Sequence, residues 1–292
     1  MKSARFVIVL AALVGLLSSA ALAQQPVRVG SKNFTEQFIL GELYAQALEA
    51  SGSKTEKKLN LGGTLIADKA LEEKQIDLYP EYTGTMLLAV MKQQSMTDAK
   101  AVYDKVKAHY AARGLAVLNQ APVNNTYVLV VRQDTADKYK LETDSDLAKV
   151  AKELKLGAGP EFRDRKDGLP GLREKYGMEF KEDLQLAIGL RYQALKSDQI
   201  QVVNGYSTDG MISAMKLKRL KDDRNLWPPY YIVPVVRKDV LDANPRIADV
   251  LNRVDGLLDD ATMAELNYKV DGEKLEPKDV AHDFLKAKGV VK

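Results

Sequence analysis

The stretch IDLYPEYTGT, residues 76–85, decides the fold. Its first four residues predict a short β-strand, and the Pro-Glu-Tyr-Thr-Gly-Thr sequence after them predicts a turn at the strand's carboxyl end. The same transition occurs twice nearer the N-terminus. A strand at 27–29 leads through Gly-Ser-Lys into a helix capped by Asn33 or Thr35, and a strand at 57–61 leads through Gly-Gly-Thr into a helix that extends to about Glu73.

This alternation of strand and helix predicts an α/β protein with parallel strands and right-handed crossovers. In open α/β sheets, ligands bind just beyond the carboxyl ends of the strands. Five residues fall at such positions: Lys32, Gly63, Thr64, Tyr82 and Thr85. Their convergence is the first indication of a ligand site.

Two similar apolar runs suggest a division into two lobes. Residues 127–131 follow Asn-Asn-Thr, residues 232–236 follow Trp-Pro-Pro-Tyr-Tyr, and an Arg with charged or polar residues comes after each run. We predict one discontinuous lobe, 24–131 plus 232–292, and a second lobe, 132–231. Two linking strands would form a hinge that can close on a ligand. From spacing alone, both runs could also be ordinary core strands.

The N-terminus predicts export. Lys2 and Arg5 precede an apolar run over 6–17, and Ala-Leu-Ala at 21–23 has the pattern of a signal-peptidase site, so residues 1–23 are interpreted as a cleavable signal peptide. The apolar run is shorter than the about 20 residues that a membrane anchor needs. The expected location of the mature chain is the periplasm.

Composition argues against most enzyme classes. The chain has no cysteine, which excludes disulfides, cysteine-ligated metals and a cysteine nucleophile. Its two histidines, His109 and His282, lie in polar helix-like contexts, and no phosphate-binding or nucleophile-elbow motif follows a strand. Glu81 and Asp77 could form an acid pair, but their spacing fits strand and turn chemistry equally well. We therefore expect no enzyme activity, cofactor or metal. The net charge of +3 gives no reason to expect a nucleic-acid partner.

Several motifs in one order carry a resemblance to a known family. They are VGSKNFTEQ (29–37), LGGT (61–64), the opening stretch at 76–85, YSTDG (206–210), PYYIVP (229–234) and LNYKVD (266–271). The chain resembles the glycine betaine/choline/carnitine substrate-binding components of osmoprotectant ABC importers, in their periplasmic branch. The resemblance covers the mature chain.

The resemblance implies a type II periplasmic-binding fold, with two α/β lobes joined by two crossing strands and the ligand in the cleft. It also implies a quaternary amine as ligand, a permease and ATPase complex as partner, and action as a monomer. Two alternatives stay open. One is a different solute, such as choline, carnitine, choline-O-sulfate, an amino acid or a polyamine. The other is a low-affinity osmotic-stress protein without a major uptake role.

A trimethylammonium group spreads its charge over methyl groups and has no N–H to donate, so aromatic faces select it through cation–π attraction. By the resemblance, the family's cage tyrosines fall on Tyr82, Tyr127, Tyr206 and Tyr230. We expect two from each side of the cleft, so that lobe closure completes the cage.

The carboxylate of a betaine calls for charge-assisted donors. The same resemblance assigns this role to Lys32, Thr85 and Arg165, with Arg163 as a competing candidate. Asn125 departs from the pattern, because some relatives have Asp at this position beside the cage. The loss of that carboxylate predicts modest affinity for betaine or a different preferred solute.

Overall fold

The computed structural model describes residues 25–292, so the predicted signal peptide lies outside the described residues. The β-strands are β1 (Val27–Gly30), β2 (Thr55–Lys58), β3 (Leu78–Tyr82), β4 (Leu115–Val117), β5 (Tyr127–Val131), β6 (Lys155–Ala158), β7 (Glu182–Gln185), β8 (Val202–Tyr206), β9 (Lys218–Arg219) and β10 (Ile232–Arg237).

The first seven α-helices are α1 (Thr35–Ala50), α2 (Thr64–Glu72), α3 (Thr83–Thr85), α4 (Ala99–Ala112), α5 (Gln133–Tyr139), α6 (Asp144–Val150) and α7 (Pro160–Asp164). The others are α8 (Leu169–Tyr176), α9 (Ile188–Lys196), α10 (Gly210–Ala214), α11 (Lys238–Ala243), α12 (Arg246–Asp255), α13 (Asp260–Asp271) and α14 (Pro277–Ala287). A π-helical turn (Met86–Val90) continues α3, and a 3₁₀ turn (Ala151–Glu153) continues α6.

The strands form two five-stranded mixed sheets, one in each lobe. The first has the order β2-β1-β3-β10-β4, and β1 pairs in parallel with both β2 and β3. The second has the order β7-β6-β8-β5-β9, with β6 parallel to β7 and β8. Strands β10 and β5 run antiparallel to their neighbours. The two-lobed α/β fold and the predicted parallel pairing of the first three strands are confirmed.

The predicted lobe boundary needs a correction. Residues 127–131 were assigned to the first lobe, but β5 pairs with β8 and β9 and so belongs to the second sheet. The physical reason is that an apolar β-branched run fits either sheet, and local sequence does not identify the partner strand. The chain passes between the sheets before β5 and again before β10, so the boundary lies ahead of Tyr127.

The two crossing segments are hydrogen-bonded to each other. Asn124 and Tyr231 form an antiparallel bridge, and the backbone N–H of Asn125 donates to the carbonyl of Tyr230 at 3.1 Å. The side-chain oxygen of Asn124 accepts from the backbone N–H of Tyr230 at 2.7 Å. These bonds hold Asn125 and Tyr230 side by side where the chain crosses between the lobes.

Helix α1 lies at the centre of the first lobe. It packs against β1 and β3 on one side and the C-terminal helices α12, α13 and α14 on the other, so nearly all of its faces are buried. The predicted side-chain cap by Asn33 or Thr35 is wrong. Phe34 is the N-cap residue, and the Thr35 hydroxyl donates to Asp271 at 2.7 Å. Among residues 25–292, no helix is long and apolar enough to span a membrane.

Candidate functional site

One cavity between the lobes brings the predicted ligand-binding residues together. The empty space between its lining atoms is about 330 Å³ when the open solvent at its mouth is included. The lining contains all eight predicted residues and two others, Phe34 and Glu161. The predicted eight are Lys32, Tyr82, Thr85, Asn125, Tyr127, Arg165, Tyr206 and Tyr230.

Strand ends explain this convergence. Lys32 follows β1 and Tyr82 ends β3, while Tyr206 ends β8. Because β5 runs antiparallel to β8, its first residue, Tyr127, lies directly opposite Tyr206. The second crossing segment supplies Tyr230. Tyr82 therefore comes from the first lobe, Tyr127 and Tyr206 come from the second lobe, and Tyr230 comes from the second crossing segment. This corrects the expectation of two tyrosines from each side of the cleft.

Four aromatic rings form a stacked column across the cleft. The centroids of Tyr127 and Tyr206 are 5.2 Å apart with planes 25° from parallel, and those of Tyr206 and Phe34 are 5.6 Å apart at 13°. Phe34 stacks in turn on Tyr82 at 6.2 Å and 22°. The ring of Tyr230 meets Tyr127 edge-on at 5.9 Å. The column gives the cavity several parallel π-faces drawn from both lobes.

A cation already lies on this aromatic surface. The Lys32 ammonium is 4.7 Å from the ring centroid of Tyr82 and 5.7 Å from that of Phe34. Lys32 is almost fully buried and forms an ion pair with Glu81, which is inaccessible to solvent. Burial raises the pKa of Glu81, and the lysine opposes that rise. The two rings thus lie within cation–π distance of a positive charge.

The carboxylate of Glu36 accepts four hydrogen bonds from side chains next to the aromatic column. Its Oε1 accepts from the Tyr82 hydroxyl at 2.8 Å and from Asn125 Nδ2 at 2.7 Å, and its Oε2 accepts from the Thr208 hydroxyl at 2.6 Å and from Asn267 Nδ2 at 2.9 Å. Burial, and next the charge of Glu36, raise the pKa of Tyr82, so the phenol stays protonated and donates. A phenol that donates to a carboxylate carries more negative charge on its ring, which favours a cation on the face.

Asn125 has a structural reason to be an amide. Its Nδ2 donates to Glu36, and an aspartate there would place a second carboxylate against the first. The carboxylate of Glu36 places a negative charge one hydrogen bond away from Asn125.

Arg165 lines the cavity, whereas Arg163 lies outside its lining. The guanidinium of Arg165 donates twice to buried Asp167, at 2.8 and 2.5 Å, and its Cζ is 5.6 Å from the Tyr127 centroid. The Tyr230 hydroxyl donates to the same carboxylate at 2.5 Å, and burial, followed by Asp167, raises the pKa of Tyr230. Arg163 instead pairs with Asp183 at 2.6 Å.

Sequence reasoning missed Phe34, Glu36 and Glu161 as site residues. The first two lie within the VGSKNFTEQ motif just after β1, so their place at a strand end was a usable signal. Glu161 contacts Thr64, 97 residues away in sequence, across the cleft. No local pattern predicts such a contact.

The residues considered for catalysis are dispersed. Asp77 pairs with Arg28 and Arg237 ahead of β3, whereas Glu81 pairs with Lys32 near its other end. Within residues 25–292, no group of three or more His, Cys, Asp or Glu side chains has a metal-binding arrangement.

Comparisons with known proteins identify the family of the chain. A sequence model of the family described as "Substrate binding domain of ABC-type glycine betaine transport system" matches residues 25–287. The chain is 38% identical over 286 residues to a glycine-betaine-binding protein of Pseudomonas aeruginosa, covering 94% of this chain and 92% of that one. It is 33% identical to an ergothioneine transport permease/ergothioneine binding protein of Helicobacter pylori, covering 97% of this chain and 51% of that longer one. The crystal structure of a glycine betaine/carnitine/choline ABC transporter protein superposes with a TM-score of 0.74 at 32% identity, covering 90% of this chain and 99% of the other.

Proposed function

The chain belongs to the family of substrate-binding domains of ABC-type glycine betaine transport systems, and we propose that it delivers a quaternary ammonium osmoprotectant to an ABC importer. In this proposal the protein is exported to the periplasm, acts as a monomer and performs no chemistry on its ligand. The relatives named for glycine betaine, carnitine, choline and ergothioneine support this ligand class, since each of these compounds carries a trimethylammonium group.

The observation that carries the proposal is the cation on the aromatic surface. The Lys32 ammonium, which forms an ion pair with Glu81, lies 4.7 Å from the ring centroid of Tyr82 and 5.7 Å from that of Phe34, within the range of cation–π contacts. Each face contributes roughly 0.5–2 kcal/mol depending on desolvation, so several faces give useful affinity. We propose that a trimethylammonium group binds among Tyr82, Tyr127, Tyr206 and Tyr230, with Phe34 as a fifth ring.

We expect the lobes to close on the ligand, because the rings that contact it come from both lobes. Tyr82 belongs to the first lobe and Tyr206 to the second, so a ligand between them contacts both lobes and favours the closed form. The hydrogen bond from Thr208 to Glu36 also joins the lobes beside the cage. Ligand binding and closure are therefore coupled in this account.

We also propose that Lys32, Thr85 and Arg165 receive the carboxylate of a zwitterionic ligand. The three line the same cavity as the cage. Lys32 and Arg165 each already pair with a buried carboxylate, so a ligand carboxylate would share them with Glu81 and Asp167.

Isothermal titration tests the ligand class with matched pairs. Glycine betaine is compared with glycine, and choline with ethanolamine, so that each pair differs in its N-methyl groups. We expect at least one quaternary compound to bind below millimolar concentration and its primary-amine counterpart at least tenfold more weakly. No binding of glycine betaine, choline or carnitine at millimolar concentration would overturn the proposal. Tighter binding of a primary amine would favour an amino acid or polyamine ligand instead.

A further inference from the structure

Glu161 brings a carboxylate of the second lobe to a helix N-terminus of the first. Its Oε1 accepts the backbone N–H of Thr64, the first residue of α2, at 2.6 Å, and its Oε2 accepts the Thr64 hydroxyl at 3.2 Å. Gly63, the N-cap residue of α2, provides no side-chain cap. A Cβ at Gly63 would collide with Oε1 of Glu161, so the glycine leaves the space that the carboxylate occupies. Helix N-termini favour negative charge, and here the chain supplies it.

Two cationic side chains lie close to the contact between Glu161 and Thr64. The Lys32 ammonium is 3.5 Å from the Thr64 hydroxyl, and the Arg165 guanidinium is 3.6 Å from Oε2 of Glu161. Each of these cations also pairs with a buried carboxylate of its own, Lys32 with Glu81 and Arg165 with Asp167. The groups best suited to a ligand carboxylate thus already hold one from the protein. Glu161 is about 40% exposed in its side chain and lies in the cavity lining, where a ligand can reach it.

We propose that Glu161 is a specificity-determining residue that favours cationic over zwitterionic quaternary amines. The inference rests on the proposed function and concerns the same cavity. A ligand carboxylate bound by Lys32 and Arg165 would lie close to Glu161, which is 3.6 Å from Arg165, and would meet its like charge. A ligand that carries a hydroxyl in place of the carboxylate, such as choline, meets no such repulsion, and the negative charge that Glu161 adds to the cavity lining favours its ammonium.

A purely mechanical role for Glu161 makes a different prediction. Because the bond to Thr64 joins the two lobes, Glu161 could stabilise the closed form with any ligand. Removing it would then change every affinity by the same factor. The ratio of two affinities therefore separates specificity from closure.

The test is titration of the wild type and Glu161→Gln with choline and with glycine betaine. We expect the ratio of the betaine Kd to the choline Kd to fall at least tenfold in the variant, with betaine binding more tightly and choline more weakly. Glu161→Ala, which also removes the acceptor for Thr64, should move the ratio in the same direction. Glu174→Gln removes the same charge from an exposed position on α8 and should leave the ratio within twofold.

Each outcome is decisive. If both affinities change by one common factor, or neither changes, the specificity role is wrong while the proposed function stands. If the wild type binds neither compound and does not bind carnitine either, the proposed function itself fails. The midpoint of thermal unfolding is measured for both variants. An unchanged midpoint shows that a loss of affinity does not result from unfolding.

Discussion

Replacing Glu36 with glutamine tests how the buried carboxylate supports the cage. In Glu36→Gln the new amide nitrogen cannot accept, so the bond from one asparagine NH2 group is lost while the other three become neutral bonds. Hydrogen bonds to a charged group contribute about 1.5–3 kcal/mol each and neutral ones about 0.5–1.5 kcal/mol, so the change costs roughly 5 kcal/mol. The neutral amide is easier to bury, which offsets part of this loss. We expect the free energy of unfolding to fall by about 2 kcal/mol in Glu36→Gln, measured by urea denaturation.

The same variant should bind a quaternary amine more weakly. At an effective dielectric constant of about 20, two unit charges roughly 8 Å apart interact by about 2 kcal/mol. Loss of the charge of Glu36 should therefore raise the Kd for choline tenfold or more in isothermal titration. Glu42→Gln is the matched control on the same helix, because Glu42 is equally buried but pairs with Lys57 away from the cavity. The reasoning is refuted if Glu36→Gln binds choline within twofold of the wild type.

Three further predictions use other parts of the structure. Tyr206→Ala and Tyr230→Ala should each weaken quaternary amine binding at least tenfold in titration; wild-type affinity in both would refute the cage. Gly84→Ala places a Cβ 2.7 Å from the Tyr230 ring and 2.8 Å from the Pro229 carbonyl oxygen, so it should weaken binding similarly, whereas Gly189→Ala, with open space around its Cβ, should not. Asp144→Asn should flatten the pH dependence of stability. Burial, with Asp222 and Asp223 nearby, raises the pKa of Asp144 to about 8. Between about pH 4 and pH 8 the folded protein then holds a proton that the unfolded chain has released. The free energy of unfolding of the wild type therefore falls by roughly 2–4 kcal/mol as the pH rises through this range. Chemical denaturation across that range is the check, and equal slopes in both proteins would contradict it.

Local sequence patterns were sufficient to predict the first three strands of the first lobe and the helices that follow the first two. The strand-to-helix transitions near 30, 63 and 82 are marked by glycine, threonine and the change of hydrophobic period, and parallel pairing follows from the alternation. The observed ends of these strands differ from the predicted ends by a few residues. The strand predicted at 57–61 is Thr55–Lys58, and that predicted at 76–79 is Leu78–Tyr82.

Pairing at long range was not predictable in the same way. Tyr127 to Val131 is as apolar as β10, and only tertiary contact with β8 places it in the second lobe. The site shows the same limit. The motifs identified Lys32 and the four tyrosines, which come from strand ends and crossing segments, whereas Glu161 reaches Thr64 only through the approach of two lobes. Such a contact depends on how the lobes meet, which no local sequence encodes.

The central claim is that aromatic faces bind the ligand through its positive charge. The most direct measurement compares choline with 3,3-dimethyl-1-butanol, its neutral carbon isostere, in competition for the wild-type protein. Shape and apolar area are nearly the same, so cation–π attraction from several faces predicts that choline binds at least tenfold more tightly. Equal affinity for the two compounds would contradict the account.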